Sequence, residues 1–382
     1  MSRSEHYDTI VVGGRCAGAA TAMLLARAGQ RVLLLEAGRG GTDTLSTHAL
    51  MRGGVLQLHR WGLLDAVVAA GTPAIRHTEF HYGDDVETVE VKPSAGVAAL
   101  RAPRRTVLDP ILVDAARAAG AEVRHGVRVD GLLRAGARVT GVTGRAGRRT
   151  VRASADLVVG ADGIRSRVAA AVRAPLRHTG TSAGAFVYAH ITGLTGPTDR
   201  YRWYYRPHAA AGAIPTNADR SCVWVSVPAA RFATVRGDLD TGLRTLLAQA
   251  APGLAVEVAA GTLDGPVRGF PGLRSYLRTA TGPGWALVGD AGWFKDPITT
   301  HGITDALRDA ELLTRAILEG DPRSYERERD ELSLPLLTVT DRIASYRWDL
   351  TELRKLLIEL SAAMRPEVQA LLGLDAPLAT AA

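Results

Sequence analysis

A glycine-rich turn between two apolar segments constrains the fold of this chain more than any other feature. Residues 8–12 (DTIVV) predict a buried strand, residues 13–18 (GGRCAG) form the turn, and the AATAMLLARAG that follows has helical spacing. RVLLLE then predicts a second buried strand that ends at Glu36, 23 residues after Gly13. A carboxylate at this distance binds ribose hydroxyls in nucleotide-binding strand–helix–strand units. The segment therefore predicts an α/β fold with a dinucleotide site near its N-terminus.

Length and composition indicate a soluble globular protein. The 382 residues suffice for two or three domains, and 46% of them are hydrophobic and 22% charged. The chain contains no apolar run of the roughly 18 residues that cross a bilayer, and its start, MSRSEHYD, lacks the order of a signal peptide. We therefore expect a cytoplasmic protein with no membrane partner.

The two cysteines and the net charge of +7 argue against several other classes of protein. Cys16 lies in the glycine turn and Cys222 in a predicted strand, which favours free thiols over a disulfide framework. The sequence has no C-x-x-C or H-E-x-x-H spacing, so we predict no metal site. Its basic residues are scattered, which favours a basic surface or an anionic cofactor over a nucleic-acid partner.

Two later motifs each combine an apolar strand with a glycine-containing turn and a helix. Residues 156–168 (DLVVGADGIRSRV) place Asp162 after the strand, and residues 285–306 (WALVGDAGWFKDPITTHGITDA) place Asp290 there. In this order behind the first turn, the motifs resemble the flavoprotein monooxygenases of the para-hydroxybenzoate hydroxylase type. The resemblance covers nearly the whole chain and is weakest near the C-terminus. It implies a Rossmann-like FAD-binding domain, an inserted β-sheet substrate domain and C-terminal helices.

We expect these domains to be discontinuous along the chain. The predicted FAD-binding domain comprises residues 1–75, 98–178 and 276–345. The predicted substrate-binding β domain comprises residues 76–97 and 179–275, and residues 346–382 form a C-terminal helical segment. That segment has helical spacing of apolar residues, so it either packs on the core or forms a dimer face. The expected assembly is accordingly a monomer or a homodimer.

The resemblance also implies which residues bind FAD without a covalent bond. The diphosphate would be held by Gly13, Arg15, Ala17 and Gly18, and the adenosine ribose by Glu36. Arg105 would lie near the diphosphate or ribityl chain, Val129 beside the adenine, and Asp290 on the ribityl hydroxyls. The other implied cofactor residues are Asp162 in the middle motif and Pro297, Gly302 and Ile303 along the isoalloxazine ring.

The chain departs from the family pattern at three positions. Arg15 replaces the second glycine of G-x-G-x-x-G, and its guanidinium would face the diphosphate, reach toward the flavin, or point into solvent. Ala169 replaces the usual arginine that ends the middle motif, which leaves the mode of nicotinamide use open. Trp293 stands where many relatives have histidine.

One histidine is a candidate for the catalytic chemistry. A helix that begins near Gly302 would direct its N-terminus at the flavin, where it favours negative charge. His301 precedes it and would add a positive charge or a hydrogen bond, or would be an exposed loop residue. The family's flavin C4a-(hydro)peroxide is formed by the cofactor itself, so the protein mainly excludes water and holds the substrate.

The predicted β domain concentrates the aromatic residues. In GAFVYAHI, Phe186, Tyr188 and His190 alternate onto one face of a strand. Such a face is either plain core or the wall of an apolar substrate pocket. The predicted pocket residues are Phe186, Tyr188, His190, Tyr205, Trp224 and Trp293.

Together these features favour an FAD-dependent monooxygenase reduced by NADPH or NADH, which hydroxylates or epoxidises a small aromatic or polyketide-like molecule. KDPITTHGITDA also fits a flavin-dependent reductase of carbon–carbon double bonds, similar to geranylgeranyl reductases. A non-catalytic flavin-bearing ligand-binding protein is a third candidate. A halogenase is disfavoured because the sequence has no W-x-W-x-I-P segment.

We expect the denatured protein to release FAD, because the resemblance implies a cofactor held only by non-covalent contacts. Chromatography of the denatured protein beside an FAD standard checks this. A flavin that stays attached to the chain, or a colourless protein that does not bind added FAD, would contradict the prediction.

Overall fold

The glycine turn joins two parallel strands to the helix between them, as the sequence predicts. In the computed structural model, β1 (His6–Val12) pairs in parallel with β2 (Val32–Glu36), and α1 (Cys16–Arg27) packs against both. Gly13 has a φ of 106°, and a Cβ atom on Gly18 would overlap the carbonyl oxygen of Gly13. Because only glycine tolerates either condition, α1 can begin directly after β1.

The structure describes residues 6–374. The further helices are α2 (Arg52–Arg60), α3 (Leu64–Ala69), α4 (Arg105–Ala118), α5 (Arg167–Ala171), α6 (Leu239–Ala250), α7 (Pro252–Ala260), α8 (Gly302–Leu318), α9 (Pro322–Ile343) and α10 (Leu350–Gly373). The further strands are β3 (His77–Tyr82), β4 (Asp85–Glu90), β5 (Glu122–His125), β6 (Val127–Ala135), β7 (Arg138–Ala146), β8 (Arg149–Gly160), β9 (Leu176–Thr179), β10 (Gly184–Thr192), β11 (Arg200–Arg206), β12 (Ala209–Thr216), β13 (Arg220–Pro228), β14 (Thr262–Leu263), β15 (Arg268–Phe270), β16 (Tyr276–Arg278), β17 (Thr281–Gly282), β18 (Trp285–Leu287) and β19 (Trp293–Phe294). Short 3-10 helices cover Ala229–Thr234, Gly289–Ala291 and Pro297–Thr299.

The first sheet has the strand order β17-β18-β8-β1-β2-β5, in which β18, β8, β1, β2 and β5 run parallel. The antiparallel strands β6 and β7 join it through β8. The carboxyl ends of parallel strands lie at the same edge of a sheet. The crevice at this edge is bordered by the last residues of β1, β2, β8 and β18, which are Val12, Glu36, Gly160 and Leu287. The predicted α/β fold is therefore confirmed, and all three sequence motifs meet at this edge.

The second sheet has the order β14-β10-β13-β12-β11-β3-β4, with β15 added against β10. Its pairs are antiparallel except that β3 runs parallel to β11. Both segments of the predicted β domain, 76–97 and 179–275, thus contribute strands to one sheet. One face packs on α6 and α7, whereas the other carries most of the aromatic residues into a cluster with α9 and α10. A third, smaller sheet has the order β19-β16-β9.

The C-terminal helices cover part of the aromatic face. Leu353, Leu356 and Leu360 of α10 are buried in the same hydrophobic cluster as Tyr205 and Trp224. The described part of the predicted C-terminal segment therefore packs on the core, and residues 375–382 of that segment lie outside the described residues. Between residues 6 and 374, none of the helices has the length and apolar character that a bilayer crossing requires.

Candidate functional site

Glu36 lies at the carboxyl end of β2, where the sequence predicts contact with the adenosine ribose. Its Oε2 accepts a hydrogen bond from the Gly14 amide at 2.6 Å, and its Oε1 accepts one from the Gly38 amide at 2.6 Å. The carboxylate thereby fixes the glycine turn against the end of β2. A Cβ atom on Gly14 would stand only 2.9 Å from the Cβ of Glu36, so this position also requires a small residue.

The Arg15 side chain crosses the crevice wall toward α4. Its Nη1 donates to Asp109 Oδ2 at 2.9 Å and to the Thr42 carbonyl at 2.6 Å, and its Nη2 donates to Thr42 Oγ1 at 3.1 Å. The side chain is 29% exposed. The guanidinium is therefore held in place within the protein, in contrast to the alternative of a side chain pointing into solvent.

Asp109 joins two arginines beside the start of α1. Its Oδ1 accepts from Arg105 Nε at 2.8 Å and from Cys16 Sγ at 3.2 Å, while its Oδ2 accepts from Arg15. Burial raises the pKa of the Cys16 thiol far above its usual range, so this group stays uncharged. Two guanidinium groups against one carboxylate leave a net positive charge next to a helix N-terminus, which suits a diphosphate.

Asp109 was not predicted from the sequence. The available signal was its spacing of four residues from Arg105 on a predicted helix, because side chains at that spacing are neighbours. Nothing in the sequence showed that Arg15 would reach the same carboxylate.

Asp290 follows β18 and lies in the short helix Gly289–Ala291. Among residues 6–374 its carboxylate has no hydrogen-bond partner, whereas its backbone carbonyl accepts from the Tyr276 hydroxyl. Burial raises the pKa of Asp290 to about 6, and Lys295 and Arg105 oppose that shift. A desolvated carboxylate without donors fits a ligand that brings hydroxyl groups, which is what a ribityl chain supplies.

The start of α8 offers free backbone donors. The N-cap residue His301 makes no side-chain cap, and Gly302 is exposed, with no atom within 4 Å of where its Cβ would stand. The preceding Thr300 has a left-handed φ of 49°, which turns the chain from the Pro297–Thr299 helix into α8. Uncapped amides that face open space fit a polar ring that becomes negative on reduction. Ile303, half-buried, lies next to Gly302.

His301 is buried, in contrast to the exposed-loop alternative. It is 2% exposed, and its Nε2 lies 3.2 and 3.1 Å from the two carboxylate oxygens of Glu367. Glu367 lies on α10, far along the chain, and no sequence signal links the two residues. His301 therefore belongs to a buried charged cluster behind the start of α8.

Three other predicted cofactor residues have internal roles in this structure. Asp162 accepts hydrogen bonds from the Ser166 hydroxyl at 2.5 Å and from the Arg167 amide at 2.7 Å, and so caps α5. Val129 on β6 is buried in the hydrophobic cluster beneath the first sheet. Ala17 lies in the first turn of α1, where a Cβ on Gly289 would come within 2.9 Å of it.

Tyr188 and His190 face the loop that connects β2 to α2. His190 Nε2 and His48 Nε2 are 2.8 Å apart, and the Tyr188 hydroxyl accepts from the Ser46 amide at 3.3 Å. Burial lowers the pKa of both histidines, that of His190 to about 4, so both imidazoles are neutral near pH 7. Cys222 Sγ lies within 4.8 Å of one ring nitrogen of each histidine. The sequence analysis missed His48.

The other predicted pocket residues lie deeper. Tyr205 contacts Trp348 edge to face with ring centroids 6.4 Å apart, and Trp224 is fully buried beside Phe186. Trp293 donates its indole N–H to Asp309 at 3.0 Å behind α8. Within this set, Tyr188 and His190 are therefore the side chains that contact the β2–α2 loop.

An open cleft of about 580 Å³ lies outside the crevice, and its lining includes Asp8, Thr9, Gln30 and Gly284. These residues stand near the amino ends of β1 and β18 and in the turn before β2, at the edge opposite the crevice. Ligands of doubly wound sheets bind at the carboxyl ends of the strands, so we do not assign the cofactor to this cleft.

The comparison with protein families agrees with the geometry of the crevice. A family model described as an FAD binding domain matches residues 6–320. The chain belongs to this FAD-binding family. The match confirms FAD as the cofactor and the protein as an FAD-dependent oxidoreductase of the flavoprotein hydroxylase superfamily.

Three curated relatives have names that describe different reactions. The chain is 26% identical over 389 residues to 6-methylpretetramide 4-monooxygenase of Streptomyces rimosus, across 96% of this chain and 89% of the relative. It is 27% identical over 320 residues to digeranylgeranylglycerophospholipid reductase of Methanocella arvoryzae, across 81% and 76%. A probable electron transfer flavoprotein-quinone oxidoreductase of Escherichia coli is 34% identical, but across only 42% of this chain and 38% of that relative.

The solved structure of the flavin-dependent brominase Bmp2 is similar throughout. The TM-score is 0.79 at 19% identity, and the match covers 97% of this chain and 94% of the brominase. At this identity the likeness shows the fold alone.

Asp290→Asn should weaken FAD binding and stabilise the cofactor-free protein. Loss of a charged hydrogen bond to a ribityl hydroxyl costs about 1.5–3 kcal/mol, or roughly tenfold or more in affinity. Without FAD, the folded pKa of about 6 lies above the ordinary 3.8. Ionisation of Asp290 therefore lowers the free energy of unfolding of the native cofactor-free protein as the pH rises between these values, by up to about 3 kcal/mol above pH 6. The asparagine of the variant carries no charge, so the variant avoids this loss.

FAD titration and urea unfolding of the cofactor-free protein at acid and neutral pH measure both effects. Asp114→Asn, on the exposed face of α4, is the control and should change neither quantity. Unchanged FAD affinity in Asp290→Asn would refute the ribityl assignment.

Arg15→Ala should weaken FAD binding, and the loss should shrink as the salt concentration rises, because screening reduces the charge contribution. Arg15→Gly restores the usual loop and should bind FAD more tightly than Arg15→Ala does. Titration of each cofactor-free variant at two salt concentrations measures this, with the exposed Arg117→Ala as the control. Native affinity in both Arg15 variants would show that the guanidinium contributes only to the protein's own contacts.

Proposed function

We propose that the protein is a monooxygenase that hydroxylates or epoxidises a small aromatic or polyketide-like substrate, with NADPH or NADH as the electron donor. The observation that carries this proposal is the attachment of the aromatic sheet to the start of α8. Asp296, next to Pro297, accepts a hydrogen bond from the Gly184 amide of β10 at 2.6 Å. The Met51 amide donates to Thr304 of α8 at 3.0 Å.

These contacts support an aromatic wall beside the expected flavin end of the crevice. The loop between β2 and α2 contacts α8 through Met51 and contacts β10 through Ser46 and His48. Bound FAD would supply oxygen activation at its C4a atom, and the chain would exclude water around the substrate. The neutral His48–His190 pair can donate or accept a hydrogen bond, which suits a phenol or a ketone held against this wall.

The relatives support two reactions. The Streptomyces rimosus relative is by name a monooxygenase and matches nearly the full length of both chains. The Methanocella arvoryzae relative is by name a reductase, which supports reduction of a carbon–carbon double bond as the second candidate. The aromatic wall with its polar pair favours the monooxygenase, because a prenyl chain offers that pair no hydrogen-bonding group.

Oxygen dependence separates the two reactions. Purified protein is supplied with NADPH or NADH and a panel of phenols and polycyclic aromatic ketones, and oxygen uptake is followed. A monooxygenase adds one atom from labelled dioxygen to the product, which mass spectrometry detects. Product that gains only hydrogen under anaerobic conditions would instead establish the reductase, and FAD binding without either turnover would leave a ligand-binding protein.

His190→Gln should raise KM for the substrate found. A lost neutral hydrogen bond costs about 0.5–1.5 kcal/mol, which corresponds to roughly twofold to tenfold in KM. His178→Gln is the matched control, since His178 is exposed on β9. An unchanged KM in His190→Gln would place the substrate away from this strand.

A further inference from the structure

Three side chains from separate segments meet on the second sheet, and we call them the imidazole–thiol group: His48, His190 and Cys222. His190 of β10 and Cys222 of β13 stand directly opposite each other in an antiparallel pair, so their side chains share one face of the sheet. His48 reaches them from the loop between β2 and α2, with its Nε2 2.8 Å from His190 Nε2. Each residue places one nitrogen or sulfur atom within 4.8 Å of those of the other two. Because the three segments are far apart in the chain, no local spacing marks the group, and the sequence analysis predicted no metal site.

The imidazole–thiol group is buried and lacks a partner for part of its polar surface. None of the three residues is more than 5% exposed. Among residues 6–374, the Nδ1 atom of His48 has no hydrogen-bond partner, and the Cys222 thiol forms no disulfide. Buried polar atoms are nearly always paired, because leaving them unpaired costs free energy. The group therefore differs from plain core, in which apolar side chains would avoid that cost.

The backbone of His48 is held in a conformation that brings its ring to β10. Its φ of 68° is left-handed, which is uncommon for residues other than glycine. The His48 amide donates to Ser46 Oγ at 3.0 Å, and this contact fixes the turn. Such backbone strain persists where the surroundings enforce it, and it is concentrated at ligand sites.

The protonation states of the group suit a metal ion. Burial lowers the pKa of both histidines, that of His190 to about 4, so each neutral ring offers a lone pair near pH 7. Since His48 Nδ1 is unpartnered among residues 6–374, this ring can carry its hydrogen there and leave Nε2 free for an ion. Burial raises the pKa of the Cys222 thiol, so an ion would displace the thiol proton as it binds.

The charged groups around these three residues balance each other. Asp43 accepts from Arg104 at 2.6 Å, and both lie close enough to act on the histidines. Asp264 and Arg220 form a second ion pair that acts on His190. A divalent ion bound to one thiolate would bring a single positive charge into this neutral setting, next to two carboxylates. The surroundings therefore do not oppose a cation.

We propose that His48, His190 and Cys222 bind a zinc ion. Two imidazole nitrogens and one thiolate are ligands that zinc prefers, and three protein ligands leave a fourth position for water or a substrate oxygen. Tetrahedral zinc with ordinary bond lengths keeps such atoms roughly 3.3–3.6 Å apart, so shifts of about 1 Å would assemble the site. Zinc then forms one bond to each ring and one to sulfur, and the thiol proton passes to solvent.

Zinc content and zinc coordination test the site. The protein is produced in zinc-supplemented medium, so that the ion is present while the chain folds, loaded with FAD and passed through a desalting column. Elemental mass spectrometry should find one zinc ion for each chain. X-ray absorption at the zinc edge, which flavin does not disturb, should show one sulfur at about 2.3 Å and nitrogen at about 2.0–2.1 Å.

Variants show which side chains bind the ion. Cys222→Ser should lose the sulfur signal, and His48→Gln should bind zinc at least roughly tenfold more weakly in competition with a chelator, since even loss of a group that only orients a ligand costs that much. His178→Gln, on the exposed strand β9, is the matched control and should bind zinc as the native protein does.

Several results would overturn the proposal. They are native protein without zinc, zinc coordinated only by nitrogen and oxygen, and a sulfur signal that survives in Cys222→Ser. If a variant does not fold, the zinc content and coordination of the native protein decide alone. Neither substrate nor nicotinamide is present, so the result is independent of the monooxygenase proposal.

Discussion

The close contact between Gly13 and Gly18 is the constraint on which the cofactor site depends. With no side chain at either position, α1 starts directly at the end of β1, and its first amides face the crevice. Arg15 then becomes the residue at the helix start, and its side chain is free to reach Asp109 on α4. The second glycine of the family pattern is here replaced by Arg15, whose salt bridge to Asp109 joins the start of α1 to α4.

The loop between β2 and α2 contacts both the cofactor side and the substrate side of the crevice. Thr42 holds Arg15, and Asp43 holds Arg104 at 2.6 Å at the start of α4. Further along, His48 adopts a left-handed φ of 68° and contacts His190 on the second sheet. Strained backbone conformations persist where the surroundings fix them, and here three separate elements fix one loop. The cofactor and substrate sides are thus built from the same short segment.

The sequence predicted the elements whose signals are local. The strand–helix–strand unit, the two later motifs and the alternation of Phe186, Tyr188 and His190 all follow from periodicity or spacing within one segment. Asp109, His48 and Glu367 escaped prediction because each meets its partner from a distant segment, and a single sequence does not encode such pairings visibly. Trp224 was predicted to line the substrate pocket, but the sequence could not show that other rings bury it completely.

The position of Glu367 has a consequence for the order in which the molecule matures. The family match ends at residue 320, whereas Glu367 comes from α10, near the end of the described chain. During synthesis, α8 leaves the ribosome before α10 exists, so Arg308 and His301 must first remain hydrated or paired elsewhere. Both side chains gain the Glu367 carboxylate as a partner only when α10 docks against the start of α8.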